Sequence, residues 1–218
     1  MRFTLKNTVI PGFLILFSIS SWGQQSYNLA TEYQADRITA VNRTLSSFTK
    51  YANALEMNAM EGDGLGILKE IEFETGTIEI DLLGENNPGK SFIGIAFNIE
   101  DKKTYEAIYF RPFNFVATDP NRIAHMVQYI HHPEYSWYKL REERTGEFEN
   151  PIPVPPDPDN WFHARIVVSE RSVSVYVDEI EEPVLMVDRL TTSKSTKIGL
   201  WTGNGSSGRY RNLVLSPE

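Results

Sequence analysis

The 218-residue chain contains no cysteine. That absence excludes disulfides, thiol nucleophiles and a lipid-bearing cysteine at a processing site. A basic run is also missing: 21 Lys and Arg stand against 29 Asp and Glu, for a formal net charge of −8. An acidic chain without a basic cluster is poorly suited to nucleic acid or to an anionic lipid surface. The apolar run Val9 to Ile19 falls well short of the ~20 residues that a spanning helix needs, and Pro11-Gly12 interrupts it. There is no Gly-x-Ser-x-Gly elbow, and the glycine-rich stretch Gly203 to Gly208 reads as a turn between strands, not as a phosphate loop.

The N-terminus carries a leader pattern. Arg2 and Lys6 supply positive charge, Val9 to Ile19 the apolar run, and Ser21-Trp-Gly23 a small-x-small cleavage site. Residues 1–23 are thus expected to be a signal peptide cut after Gly23, with a signal anchor as the alternative. Cleavage removes two basic residues and no acid, moving the net charge from −8 to −10. Residues 24–218 then form one exported domain, secreted or periplasmic and soluble. A disulfide-free exported protein fits a bacterial envelope.

Hydrophobic residues make up 41% of the chain, enough for one sizeable core. Most segments alternate with a period of two. Ile78, Ile80 and Leu82 fall on one face of a strand while Thr77, Glu79 and Asp81 fall on the other. Ile93, Ile95, Phe97 and Ile99 leave the small residues Gly94 and Ala96 on the opposite face, room for a ligand or for covering side chains. Arg37 to Val41, Ala54 to Ala59, Lys69 to Phe73, Tyr105 to Phe113, His125 to His132, Val184 to Val187 and Lys197 to Trp201 read as further strands, with Tyr210 to Leu215 closing the chain. Glu61 to Gly66 and Asp119-Pro-Asn121 read as turns, and Trp161 to Val168 with Ser172 to Asp178 as a hairpin. Ser136 to Arg144, with Trp137, Leu140 and Arg141 at helical spacing, is the one helix expected, and five prolines then stiffen the chain up to Pro158. The pattern predicts an all-β, two-sheet antiparallel sandwich with one short helix in a long loop.

Gly76-Thr-Ile-Glu-Ile-Asp81, Phe92-Ile-Gly-Ile-Ala-Phe97, the hairpin from Trp161, Lys197-Ile-Gly-Leu-Trp201 and Tyr210-Arg-Asn-Leu213 carry a likeness over roughly Leu65 to Leu215. In this succession the chain resembles the concanavalin A-like lectin/glucanase superfamily, laminin-G-like and bacterial secreted 3-keto-disaccharide hydrolase-like domains above all. The resemblance implies a jelly-roll sandwich whose concave sheet often receives carbohydrate, without implying an enzyme.

Period two puts Tyr109 and Arg111 on one face of their strand, and Trp201 on the outward face of its own. With Gln128 or His131 nearby, these residues are the expected carbohydrate site: an arginine fork bonds hydroxyls or a carboxylate, and aromatic faces stack on a pyranose. The other reading pairs Arg111 with Glu106 or Glu134 and packs the aromatics under the long loop. Glu79 and Asp81, followed by Glu85, are candidate catalytic carboxylates, since glycoside cleavage uses two acids flanking the bond. They read equally as the solvated face of a strand. His131 is a candidate acid–base group. His131 and His132 point to opposite faces and lack a third ligand, so no metal or other cofactor is expected, and calcium cannot be foreseen without an Asp-rich loop. The expected partner is a carbohydrate or glycoconjugate bound under a rim or lid made by Ser136 to Pro158. A glycoside-cleaving enzyme and a protein-binding module are the alternatives.

Overall fold

The computed structural model describes residues 23–51 and 53–218. Apart from Gly23, the expected signal segment lies outside the described residues. Two antiparallel sheets form a jelly-roll sandwich, as the alternation predicts. The first sheet runs in the order β13 (Leu185–Asp188), β12 (Ser172–Val177), β11 (Phe162–Val168), β6 (Gly76–Leu83), β15 (Gly208–Pro217), β4 (Leu55–Met57) and β3 (Leu45–Ser47), and β1 (Gln25–Tyr27) also pairs with β15. The second runs β10 (Glu149–Asn150), β9 (Val127–His132), β8 (Tyr105–Phe110), β7 (Ile93–Phe97), β14 (Lys197–Thr202), β5 (Gly64–Glu72) and β2 (Ile38–Val41). Among the described residues no helix is long and apolar enough to cross a membrane.

The core follows from side-chain parity. Ile78, Ile80 and Leu82 of β6 point inward with Ala164 and Ile166 of β11 and Val173, Val175 and Val177 of β12, all fully buried. Ile93, Ile95, Ile108, Phe110, Ile198 and Leu200 meet them from the second sheet. Each aliphatic side chain removed from water contributes about 2 kcal/mol. Phe110 meets Phe162 across the sandwich, ring centroids 5.1 Å apart at 74°. One polar cluster interrupts this core. The carboxylate of Glu106, fully buried, accepts hydrogen bonds from Arg189 (2.6 Å), Asn98 (2.7 Å) and the Tyr129 hydroxyl (2.6 Å), tying β8 to the segment that follows β13 in the other sheet.

Two local expectations are corrected. Two further helices occur: α1 (Leu29–Gln34), capped by Asn28 Oδ1 accepting from the Thr31 N–H, and the single turn α2 (Pro120–Ile123), capped by Asp119 with Pro120 in its first turn. Leu29 is the one buried residue of α1, so no helical apolar stripe announces it. Strand β5 begins at Gly64, inside the expected turn, because Gly64, Leu65 and Gly66 pair with Thr202, Trp201 and Leu200 of β14. The run from Tyr105, in which Pro112 is expected to end the strand because it cannot donate to a ladder, stays extended only as far as Phe110, and the chain enters a 3₁₀ turn at Pro112–Asn114. The helix of the long excursion forms as α3 (Trp137–Glu143), its N-terminus capped by Ser136.

Candidate functional site

Register places the central residues in one row across the outer face of the second sheet. Leu65 pairs with Trp201, Trp201 with Gly94, Gly94 with Tyr109, Tyr109 with Gln128, and Gln128 with Glu149. Directly paired residues share a face. Gly94 carries no side chain between its two aromatic neighbours, so the rings of Tyr109 and Trp201 close over it to 4.8 Å at 37°. The room that Gly94 leaves is therefore filled by neighbouring aromatics on the same sheet, while Ala96 pairs with the small residues Gly199 and Ala107.

Arg111 folds back over this row. Its guanidinium lies 4.8 Å from the Tyr109 ring centroid, donates to the Tyr109 hydroxyl at 2.5 Å and to Gln128 Oε1, and reaches the His125 carbonyl at 3.2 Å. The Tyr109 hydroxyl in turn donates to Gln128 Oε1 at 2.6 Å. Burial pushes the Tyr109 pKa up to about 12. Burial also pulls the Arg111 pKa down, against the pull of Tyr109 and Glu149. The carboxylate facing Arg111 is Glu149 at 3.6 Å, in place of the expected Glu106 or Glu134. Glu149 is itself buried and gripped by Arg141 of α3 through Nε at 3.0 Å and Nη2 at 2.6 Å. His125 Nδ1 stands 3.0 Å from the same carboxylate without hydrogen-bond alignment. Desolvation lowers the His125 pKa, so its ring is neutral near pH 7 although Glu149 pulls the other way.

A second polar group closes the other end. Trp201 Nε1–H donates to the Tyr105 hydroxyl at 3.1 Å, and that hydroxyl donates to Asp63 Oδ2 at 3.2 Å. His132 stacks on Tyr105 with centroids 5.2 Å apart, and burial lowers its pKa against the pull of Asp63. Between the two groups lies a cavity of about 570 Å³. Tyr109, Arg111 and Trp201 line its floor yet are only 2, 5 and 3% exposed, and Gln128 is fully buried beside them. The more open walls come from elsewhere: Trp137, 46% exposed, with Arg141 beneath its ring at 5.2 Å, and Arg122 of α2, His125, His132 and Phe92. The excursion from Ser136 thus builds one wall through α3 and anchors it through β10.

Of the residues chosen from the sequence, Tyr109, Arg111, Gln128 and Trp201 come together. His131 does not. It pairs with Glu106, whose side chain enters the core, and sits on the opposite face from Gln128, so His132 is the histidine of the cavity. Glu79 and Asp81 belong to β6 in the other sheet, on its outer face, away from the cavity. Asp81 is held there by His163 Nδ1 at 3.0 Å, Arg211 Nε at 3.0 Å and Asn212 Nδ2 at 2.8 Å. Glu85 bonds Arg209 and Ser207 beyond the end of β6.

These features define an antiparallel two-sheet jelly-roll sandwich with a cavity on one outer face. No family model and no curated protein matches the chain. Solved structures share its fold. The carbohydrate binding module CBM66 from Bacillus subtilis is 14% identical, with TM-score 0.57 over 83% of this chain and 96% of its own. The VIP36 exoplasmic/lumenal domain in its Ca2+/Man3GlcNAc-bound form is 13% identical, with TM-score 0.56 over 88% of each chain. A native glycosidic hydrolase is 11% identical, with TM-score 0.57 over 90% of this chain and 97% of its own. Identities this low establish shared architecture and nothing finer.

Proposed function

We propose that the chain is an exported carbohydrate-binding module that takes a saccharide or glycoconjugate into the cavity on the outer face of its second sheet. The observation that carries this reading is Trp137, 46% exposed beside an aromatic and arginine floor. An indole face stacks on the apolar side of a pyranose ring while guanidinium and imidazole groups bond its hydroxyls. The acids support binding over cleavage. Glu149 is locked to Arg141. Asp63 stands at the His132 end, four residues along β9 from the Gln128 row, roughly 13 Å away at strand rise. Two free carboxylates facing one another across a glycosidic bond are therefore missing among the described residues that line the cavity. Relatives in fold include a carbohydrate binding module and a domain bound to Man3GlcNAc, in keeping with the same use. Export rests on the leader pattern of residues 1–23.

Residues 24–218 and the Trp137→Ala variant on a broad glycan panel, with retained sugars recovered for mass analysis, test this reading. Intact sugar should be retained, and the variant should bind about tenfold more weakly, ~1.4 kcal/mol. Shortened sugar would move the reading to a glycoside-cleaving enzyme. Retention of nothing on the panel would overturn it.

A further inference from the structure

We infer that the saccharide is anionic, with a carboxylate or sulfate read by Arg122 at the mouth of the cavity; this rests on the saccharide-binding reading above. Three arginines line the cavity, in a chain whose net charge is −8. Two of them, Arg111 and Arg141, share the buried carboxylate of Glu149. Arg122 has no carboxylate within ion-pair distance among the described residues. Its Nε bonds Asn114 Oδ1 at 3.0 Å and its Nη2 bonds the Phe113 carbonyl, both neutral acceptors that fix the guanidinium without cancelling its charge. The Phe113 ring backs it at 5.8 Å. The guanidinium carries five N–H donors and these two bonds use two, leaving donors on a preset fork that suits a planar or tetrahedral oxyanion.

The floor beneath is short of acceptors in the same way. Gln128 Oε1 is taken by Arg111 and by Tyr109, which fixes the amide orientation, and its Nε2 is buried without a partner. A neutral sugar brings hydroxyls that both donate and accept, whereas a carboxylate or sulfate brings acceptors alone. An ion pair to the partly exposed Arg122 at the cavity wall is screened by salt, so the preference for the anion should weaken as salt rises.

The test compares acidic glycans with their neutralised forms on residues 24–218: oligogalacturonate against its methyl ester, and sulfated oligosaccharides against the desulfated chains, within the same broad panel. The acidic member of a pair should bind at least tenfold tighter at low salt, with the ratio shrinking at 0.3 M salt. Which pair shows the preference separates carboxylate from sulfate. Arg122→Gln should bring the acid-to-neutral ratio toward one, and Arg122→Lys should restore part of it. Because the ratio is read within one protein, a reduced folded fraction weakens both members equally and leaves it unmoved, and circular dichroism of each variant checks the fold. Equal binding of acidic and neutral members, or hits among neutral glycans only, would overturn the inference and leave the saccharide reading standing. A preference that survives Arg122→Gln unchanged would overturn Arg122 as its reader. Retention of no glycan of either kind would overturn both.

Discussion

Asp81, a candidate acid in the sequence, is held in an ion pair with His163 on the sheet that does not carry the cavity. They face each other across β11 and β6, Nδ1 to Oδ1 at 3.0 Å, on the outer face of the first sheet. The hydrogen bond to Asp81 raises the His163 pKa above its ordinary value of 6.5. For Asp81 burial pushes upward, but hydrogen bonds from His163, Asn212 and Arg211 outweigh it and hold the carboxyl below 3.8. The raised histidine stabilises the fold fully below pH ~6.5 and loses this as pH rises through its folded value; the depressed aspartate stabilises above pH ~4 and loses this as pH falls through its own. Their joint contribution is therefore largest between about pH 4 and 6.5. His163 is 41% exposed on its side chain, so solvent screening keeps the pair near ~0.5 kcal/mol. Urea unfolding of wild type and His163→Gln should differ by about that much at pH 5.5 and by less at pH 8.5, and a gap that widens with pH would refute the pairing. Parity also decides which residues were legible in the sequence. Gln128 and His131 are three apart on one strand, so they cannot share a face, and counting outward from Gln128 leads to His132.

At the scale of elements, the row that builds the site depends on where a side chain is absent. A Cβ on Gly94 would lie 2.0 Å from the Ile108 carbonyl and 2.6 Å from Tyr109 Cα, both backbone atoms of β8 that cannot step aside without breaking the β7–β8 pairing. On Gly66, in β5, the same Cβ would meet Ile38 and Leu200 at 3.5 Å, ordinary contact. Gly94→Ala should therefore cost about 1–3 kcal/mol or more and loosen the Tyr109–Trp201 contact. Gly66→Ala should be neutral or stabilise by up to ~1 kcal/mol, because it restricts the unfolded chain. Thermal midpoints of the two variants check this, and equal midpoints would contradict the row geometry. Alternation made Gly94 visible in the sequence as an outward small residue, but could not say that the flanking aromatics would fill the gap. The helical spacing of Trp137 and Arg141 was likewise legible, and it does set both on the wall of the cavity. Their partner was not legible. Glu149 reaches Arg141 only because the two residues of β10 pair with β9, a long-range contact that no local pattern signals. Arg122 was not legible because it lies in a single helical turn whose Asp-Pro start reads equally as a turn, and His125, read as the first residue of a strand, stands ahead of that strand's start at Val127.

For the whole molecule, two sheets with separate outer faces must hold together strongly enough for one of them to carry an open cavity. Most of that cohesion is apolar, but Glu106 and Arg189 tie the sheets with charge inside the core. The Arg189 side chain is 6% exposed and that of Glu106 fully buried, with Nη2 to Oε2 at 2.6 Å, and Arg189 Nη1 also reaches the Ser169 carbonyl at 3.1 Å. Such a pair adds little net stability over a well-packed apolar replacement, because both groups are desolvated, but losing one partner strands the other. Glu106→Ala should therefore destabilise by about 3–5 kcal/mol, leaving the guanidinium, Asn98 and the Tyr129 hydroxyl without their acceptor. The double variant Glu106→Leu, Arg189→Met should recover much of the loss. Urea unfolding of wild type, Glu106→Leu, Arg189→Met and the double variant reads the coupling directly, and both sheets should melt in one transition with a common slope because they share one core. Single losses that simply add in the double variant would mean that the two sheets are joined by apolar packing alone and that the buried pair is incidental to it.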